Sequence, residues 1–398
     1  MVFTPVSTAL MNIFIFLTLI FVLLSGNLKK TVLLAWENPV SRSSLFLFLL
    51  LIVSLSWTIN LNDAFDILKK YNELWYFALL IPIFNSNYRR NFGINAFLIS
   101  MSIVLFGIYL MYFEIILPIH WTLKGTSGHF TIDGGFASHI LTNILMAFAM
   151  FVSAQMLVAS KFILKIPYLV FVCFSFYYVL FISSGTSGQI LAICLILLFI
   201  IQHGGIRSVL LIPGVILLIA ITAISNKSFY ENTISAAVEA NSLQRVIVKM
   251  QKQYHHATTN DTAGNNTRPR IYFNALKLIR QEPWIGSGVG SFEEALKKYQ
   301  PKFHTATTVA KKNPHNEYLM ISVQLGAAGL LLLLNLFYKQ AAFSEKISRQ
   351  EYKNIAQGLV ILIIIGCMGN SMLLDSREGH FWAFFSALLF SNILDKEN

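Results

Sequence analysis

The sequence predicts an all-α polytopic membrane protein, with about 11–12 transmembrane helices and one large extracytoplasmic loop. Three observations carry that expectation. The 398 residues are 55% hydrophobic and only 12% charged, with 33 phenylalanines, which is membrane composition rather than that of two or three soluble domains. Apolar runs long enough to cross a bilayer recur along most of the chain. One stretch, Ser225–Asn316, interrupts them with polar and basic sequence.

The predicted spans are Thr8–Ser25, Ser44–Ile59, Tyr71–Phe84, Ala96–Ile119, Gly134–Ala159, Ile166–Ser183, Gln189–Gln202, Val209–Ile224, Glu317–Tyr338, Ala356–Leu374 and Phe381–Ile393. Tyr71–Phe84 is the shortest candidate for a full crossing. Three parts follow: an N-terminal bundle over residues 1–224, a loop domain over 225–316 and C-terminal spans over 317–398. No cleavable signal peptide is expected, because Met1–Gly26 has no basic n-region and no small-residue cleavage pattern.

Basic residues choose the orientation. Lys29, Lys30 and Arg42 follow the first span, Arg89 and Arg90 the third, Lys161 and Lys165 the fifth, and Arg207 the seventh. Lys339, Lys346, Arg349 and Lys353 follow the ninth. The positive-inside rule places these odd-numbered connections in the cytoplasm, with the Ser225–Asn316 loop and the N-terminus outside. Lys69 and Lys70 are the main exception.

The net charge of +11 comes from these loops and from the basic outer loop, not from a soluble basic domain, so nucleic acid is excluded as a partner. An anionic ligand or the membrane lipid surface suits the outer loop better. Cys173, Cys194 and Cys367 lie in apolar segments with no metal or redox spacing, and read as packing residues. No cofactor and no metal are expected.

Within the outer loop, Leu243–Tyr254 and Ile271–Arg280 show the period of amphipathic helices, the second stopped by Gln281-Glu282-Pro283. Arg268 and Arg270 stand just ahead of that second helix. Guanidinium forks suit a diphosphate, and they equally suit snorkelling to lipid headgroups. In Asn313-Pro314-His315-Asn316, Asn313 is the expected N-cap of the next span and Pro314 its first residue. His315 would then sit at the positive end of the helix dipole, which disfavours imidazolium and leaves a neutral base; the plainer reading is an interfacial histidine bonded to a neighbour. Gly286-Ser287-Gly288-Val289-Gly290 looks like a phosphate cradle but follows no strand and precedes no Walker lysine, so a sharp turn back to the membrane is expected. Asp375, on the last outer loop, is a candidate for pairing with the arginines or for an acceptor sugar, against ordinary local salt bridging.

Together these residues resemble the O-antigen ligase family, which shares a superfamily with O-antigen polymerases and protein O-oligosaccharyltransferases. The resemblance is carried by Arg268–Gly329: the arginine-proline-led helix, Glu282-Pro283-Trp284-Ile285-Gly286-Ser287-Gly288, Ser291-Phe292, Asn313-Pro314-His315-Asn316-Glu317-Tyr318-Leu319 and Gln324-Leu325-Gly326-Ala327-Ala328-Gly329. It implies a metal-independent glycosyltransferase of the GT-C type in a Gram-negative inner membrane, with a periplasmic active site. The implied donor is an undecaprenyl-diphosphate-linked glycan and the implied acceptor lipid A–core. Arg268 would hold the diphosphate, with Arg270 second choice, and His315 would deprotonate or position the acceptor hydroxyl, beside Asn316. The family's Ser-Arg-Thr/Ser-Gly pattern is broken here by Thr186 in Ser184–Gln189, so Arg270, Arg245 or Lys124 must supply the missing cation, or the chain has diverged in substrate or activity. A polymerase or protein transferase using the same donor is the alternative. A lipid-linked glycan transporter would call for ionisable residues near mid-membrane and paired broken helices, neither of which the spans show.

Overall fold

The computed structural model describes residues 8–24, 26, 28–123, 126–132, 135, 138–204, 212–225, 268–299 and 313–391. Its N-terminal part contains α1 (Thr8–Leu24), α2 (Leu28–Glu37), α3 (Pro39–Val53), α4 (Leu61–Lys70), α5 (Glu73–Leu80) and α6 (Asn87–Tyr112). A hairpin of β1 (Ile119–Leu123) and β2 (Thr126–Phe130) follows, then α7 (His139–Ala159), α8 (Phe162–Tyr177), α9 (Thr186–Gly204) and α10 (Ile212–Ser225). After these come α11 (Arg268–Gln281), α12 (Phe292–Tyr299), α13 (Glu317–Ser344), α14 (Gln350–Gly369) and α15 (Ser376–Phe390).

The helical membrane class stands. Among the described residues, seven helices are long and apolar enough to cross a membrane, and each of the eleven predicted spans has a helical counterpart. The hairpin departs from an all-α expectation. Its strands pair antiparallel, Ile119 opposite Phe130 and Leu123 opposite Thr126. The fourth predicted span ran on to Ile119, but its helix stops at Tyr112 and Glu114 turns to φ +59°; a Pro118 that cannot continue a helix lies just beyond. The short helices α2 and α4 were not predicted. The amphipathic helix expected at Leu243–Tyr254 lies outside the described residues.

Local chemistry explains the starts. Asn38 caps α3, its Oδ1 accepting from the Val40 and Ser41 amides at 3.1 Å, with Pro39 in the first turn. The Asn38 amide then donates to the Phe390 carbonyl at 2.6 Å, tying α3 to the end of α15. Of the candidate spans α7 is the most deeply buried, packed between α6, α8, α9 and α14. Phe97, Phe148, Phe381 and Phe385 interlock edge to face, with Phe97 and Phe385 centroids 4.9 Å apart. One core therefore draws on helices from both ends of the chain.

The junction that positions the candidate site is a break in α13. Gly326 has φ +60° and ψ −154°, which interrupts the helical ladder. The segment after α11 lies in the gap: the Ser287 and Gly288 amides donate to Val323 and Gln324 carbonyls, both at 2.9 Å. In return the Ala327 and Ala328 amides donate to Pro283 and Trp284 carbonyls at 2.8 and 3.2 Å. Gly286, at φ +67°, lies so close that an added Cβ would come within 2.5 Å of the Gln324 backbone.

Gly286→Ala is therefore expected to destabilise the protein by about 1–3 kcal/mol, through a left-handed backbone and a backbone clash. Gly214→Ala, where a Cβ meets nothing within 4 Å, is the control. Melting of the purified variants in detergent tests this; equal melting temperatures would show that the junction is not tight.

Candidate functional site

Arg268 and Arg270 are the first and third residues of α11, with Pro269 between them in the first turn, where a missing amide costs nothing. Ile271, Asn274, Ala275 and Leu278 form the buried face that packs on α13. One turn after Arg268, about 6 Å along the axis, stands Tyr272. Its single hydroxyl proton is within reach of two carbonyls, Met368 at 3.1 Å and His315 at 3.4 Å. The start of α11 and the His315 backbone thus meet at the same end of the helix bundle.

His315 does not stand where the sequence put it. The long helix begins at Glu317, capped by Asn316, whose Oδ1 accepts from the Leu319 amide at 3.0 Å. Asn313 and Pro314 precede the helix. The reason is backbone conformation: His315 has φ +52°, a left-handed state that no first helical turn accommodates. Three bonds hold it. The His315 amide donates to Asn313 Oδ1 at 2.8 Å, the same oxygen accepts from Ser371 Oγ at 2.7 Å, and Asn316 Nδ2 donates to the Met368 carbonyl at 2.9 Å. A strained histidine fixed from several sides and only partly buried is a presented side chain.

Behind it lies a carboxylate that the sequence reading did not single out. Glu317 is fully buried, its Oε1 accepting from the Tyr71 hydroxyl at 2.8 Å and its Oε2 from the Leu373 and Leu374 amides at 2.9 and 3.3 Å. Those bonds hold the 370–375 turn, which ends in Asp375 as the residue before α15. Burial pushes the Asp375 carboxyl above the usual aspartate range, while the neighbouring His315 and Lys70 charges and an Asn370 hydrogen bond pull it back. Asp375, His315 and Lys70 are therefore one electrostatic group. Lys70, the exception to the loop-charge rule, is part of it.

A second buried pair lies deeper: His380 Nδ1 is 2.8 Å from Glu73 Oε1, with Glu73 1% exposed. Neither residue carried a signal in the sequence beyond being an ionisable group beside an apolar run. The glycine turn is not a cradle. Its amides at Ser287, Gly288, Val289 and Gly290 are already bonded to Val323, Gln324, Ser54 Oγ and Gln324 Oε1, and none faces a ligand. Thr186 is the first residue of α9, and its neighbour Ser187 has its Oγ 3.7 Å from a Cβ built on Gly369, next to Met368. The α9 N-terminus therefore adjoins the His315 turn. Arg245 and Lys124 lie outside the described residues. Among the described residues no group of three or more His, Cys, Asp or Glu side chains is arranged to hold a metal.

Residues 169–334 match the family model described as O-antigen ligase. Over that span, under half of the chain, the protein is similar to the O-antigen ligase family. No curated protein matches it. The matched span runs from α8 through the glycine junction into α13, so Thr186, Arg268, Arg270 and His315 all fall inside it, while Lys70 and Asp375 come from outside. Members of that family are glycosyltransferase-like ligases and polymerases that use lipid-linked glycans, and the seven apolar helices among the described residues suit a multi-pass membrane protein.

Removing the Glu317 carboxylate leaves two buried amides and the Tyr71 hydroxyl without an acceptor. Glu317→Ala is expected to cost about 2–5 kcal/mol. Tyr272→Phe removes only the hydroxyl shared by two carbonyls, so it should leave expression and melting near wild type and lower glycan transfer about 3–30-fold. Both are read by melting and by transfer rate; wild-type transfer in Tyr272→Phe would detach Tyr272 from the site.

Proposed function

We propose that the protein is an O-antigen ligase, a GT-C type transferase that moves glycan from undecaprenyl diphosphate to lipid A–core at the periplasmic face of the inner membrane. The observation that carries this reading is the Tyr272 bridge, which holds the α11 start, with Arg268, against the strained His315 turn. The acceptor hydroxyl oxygen attacks the anomeric carbon while the bond to the diphosphate breaks and the leaving group takes the electron pair. His315 receives the hydroxyl proton or positions the hydroxyl for attack. Arg268, with Arg270 beside it, neutralises the departing diphosphate, the largest electrostatic term in such a transfer. Asn316 keeps the turn in register.

Asp375 acts through His315, orienting the imidazole and compensating its charge once protonated, while Lys70 offsets part of the rise that burial gives the Asp375 carboxyl. Thr186 replaces an expected arginine, and the N-terminus of α9 offers partial positive charge there instead. The polyprenyl tail partitions among the spans, which holds the donor at the surface. No step uses a metal. A polymerase or protein O-oligosaccharyltransferase would use the same donor half and differ only in acceptor.

Arg268→Ala and His315→Ala should each abolish transfer with protein level in the membrane unchanged. Asp375→Asn should lower kcat by about 10–100-fold with little change in the donor KM, as expected for a residue acting through the base. Deletion of the gene followed by lipopolysaccharide gels separates the acceptors. Loss of all O-antigen bands with lipid-linked polymer accumulating means ligase, one repeat retained on the core means polymerase, and intact lipopolysaccharide with an unglycosylated protein means protein transferase. Wild-type transfer by Arg268→Ala or His315→Ala would remove that residue from the mechanism.

A further inference from the structure

At the far end of α13 from His315, a cavity of about 460 Å³ opens between α9, α13 and α14. It has two unlike halves. Toward the membrane interior its walls are apolar, including Leu198, Val360 and Ile361, with Ile201 61% exposed. Toward the helix ends it is polar. Lys353 Nζ lies 2.6 Å from Glu345 Oε2, Gln357 Nε2 donates to the other Glu345 oxygen, and Gln202 Nε2 donates to Gln357 Oε1 at 2.7 Å. The relay continues through Gln155 to His203 and Asn354, so the floor is rigid before any ligand arrives.

We infer that this groove binds a phospholipid with a zwitterionic amino headgroup, the acyl chain along the apolar wall and the headgroup over the Glu345–Lys353 pair. The length and polarity gradient fit an amphiphile rather than a soluble metabolite. Charge selects the headgroup. The rim presents one acid and one base, and the acid is the more open of the two, 58% against 26% exposed. A purely anionic headgroup gains Lys353 but meets Glu345 first. A phosphoethanolamine places its phosphate on Lys353, which has donors left after its single ion pair, and its ammonium on Glu345. The site is separate from glycan transfer and does not depend on which acceptor the protein uses.

The test is native mass spectrometry of the full-length protein in detergent. It is titrated with phosphatidylethanolamine, phosphatidylglycerol and diacylglycerol of identical chains. The expected result is phosphatidylethanolamine retained about tenfold more than either competitor. Glu345→Gln should erase the preference over phosphatidylglycerol. Ile201→Trp, which narrows the apolar wall and leaves the polar relay intact, should reduce phosphatidylethanolamine occupancy about tenfold with unchanged melting. If Glu345→Gln fails to fold, Ile201→Trp carries the test alone. Preference for phosphatidylglycerol, equal retention of diacylglycerol, or full occupancy in Ile201→Trp overturns the assignment.

Discussion

The structure depends on a helix that is broken on purpose and repaired by a distant part of the chain. In a bilayer an unbonded amide or carbonyl costs several kcal/mol, so a left-handed glycine inside a membrane helix is sustainable only if other backbone groups fill the gap. Around Gly326 four such groups are released, and the 283–288 segment bonds all four. The dependence runs both ways, because the glycine turn has its own amides to satisfy, and those of Ser287, Gly288 and Gly290 find their acceptors in the broken helix. A loop that would otherwise float over the membrane is thereby seated at a fixed height. Its preceding helix, α11, inherits that placement, and so does Tyr272 against the His315 turn.

From this seat outward, each layer of the site is held by the one behind it. Tyr71 and Glu317 bind the 370–375 turn; the turn presents Asp375; Asp375 and Lys70 surround His315 with charge. Glu317 is the pivot, since it opens α13 and also closes the turn between α14 and α15. An acid at the first position of a helix is favoured by the helix dipole, which offsets part of the cost of burying it. Deep placement also removes water competition for its three hydrogen bonds, so the turn has little freedom to carry Asp375 away from the imidazole.

The helical class, the spans, the sharp glycine turn and the neighbourhood of the α11 start and His315 were legible in the sequence, because apolar length, glycine clusters and local charge leave strong one-dimensional signals. The ends of elements were less so. A left-handed residue at His315 shifted the helix start by three positions from the expected cap, and Asn-Pro-His-Asn offers two capping asparagines, Asn313 and Asn316, between which the local sequence does not choose. Tyr71, Glu73, Glu317 and His380 were invisible for a different reason. Each is a single polar residue beside an apolar run, and its meaning arises only when residues far apart in sequence are brought into contact, as in the 246-residue separation of Tyr71 and Glu317. Lys70 gave a signal that was read as noise in a topology rule.

Charge then divides the proposed site into halves. The α11 segment RPRIYFNALKLIRQ carries three arginines and a lysine and no acid. On the other side of His315 stand Asp375 and, behind it, Glu73, Glu317 and Glu378, all partly or fully buried. In the proposed reaction the donor diphosphate is assigned to α11, which offers arginines without an acid, whereas the other side carries Asp375 together with Lys70 and Arg377. Neutral sugar hydroxyls bond well to carboxylates. In the proposed reaction the acceptor therefore lies on the Asp375 side, and His315, standing at the boundary, takes its proton while arginine holds the donor's leaving charge.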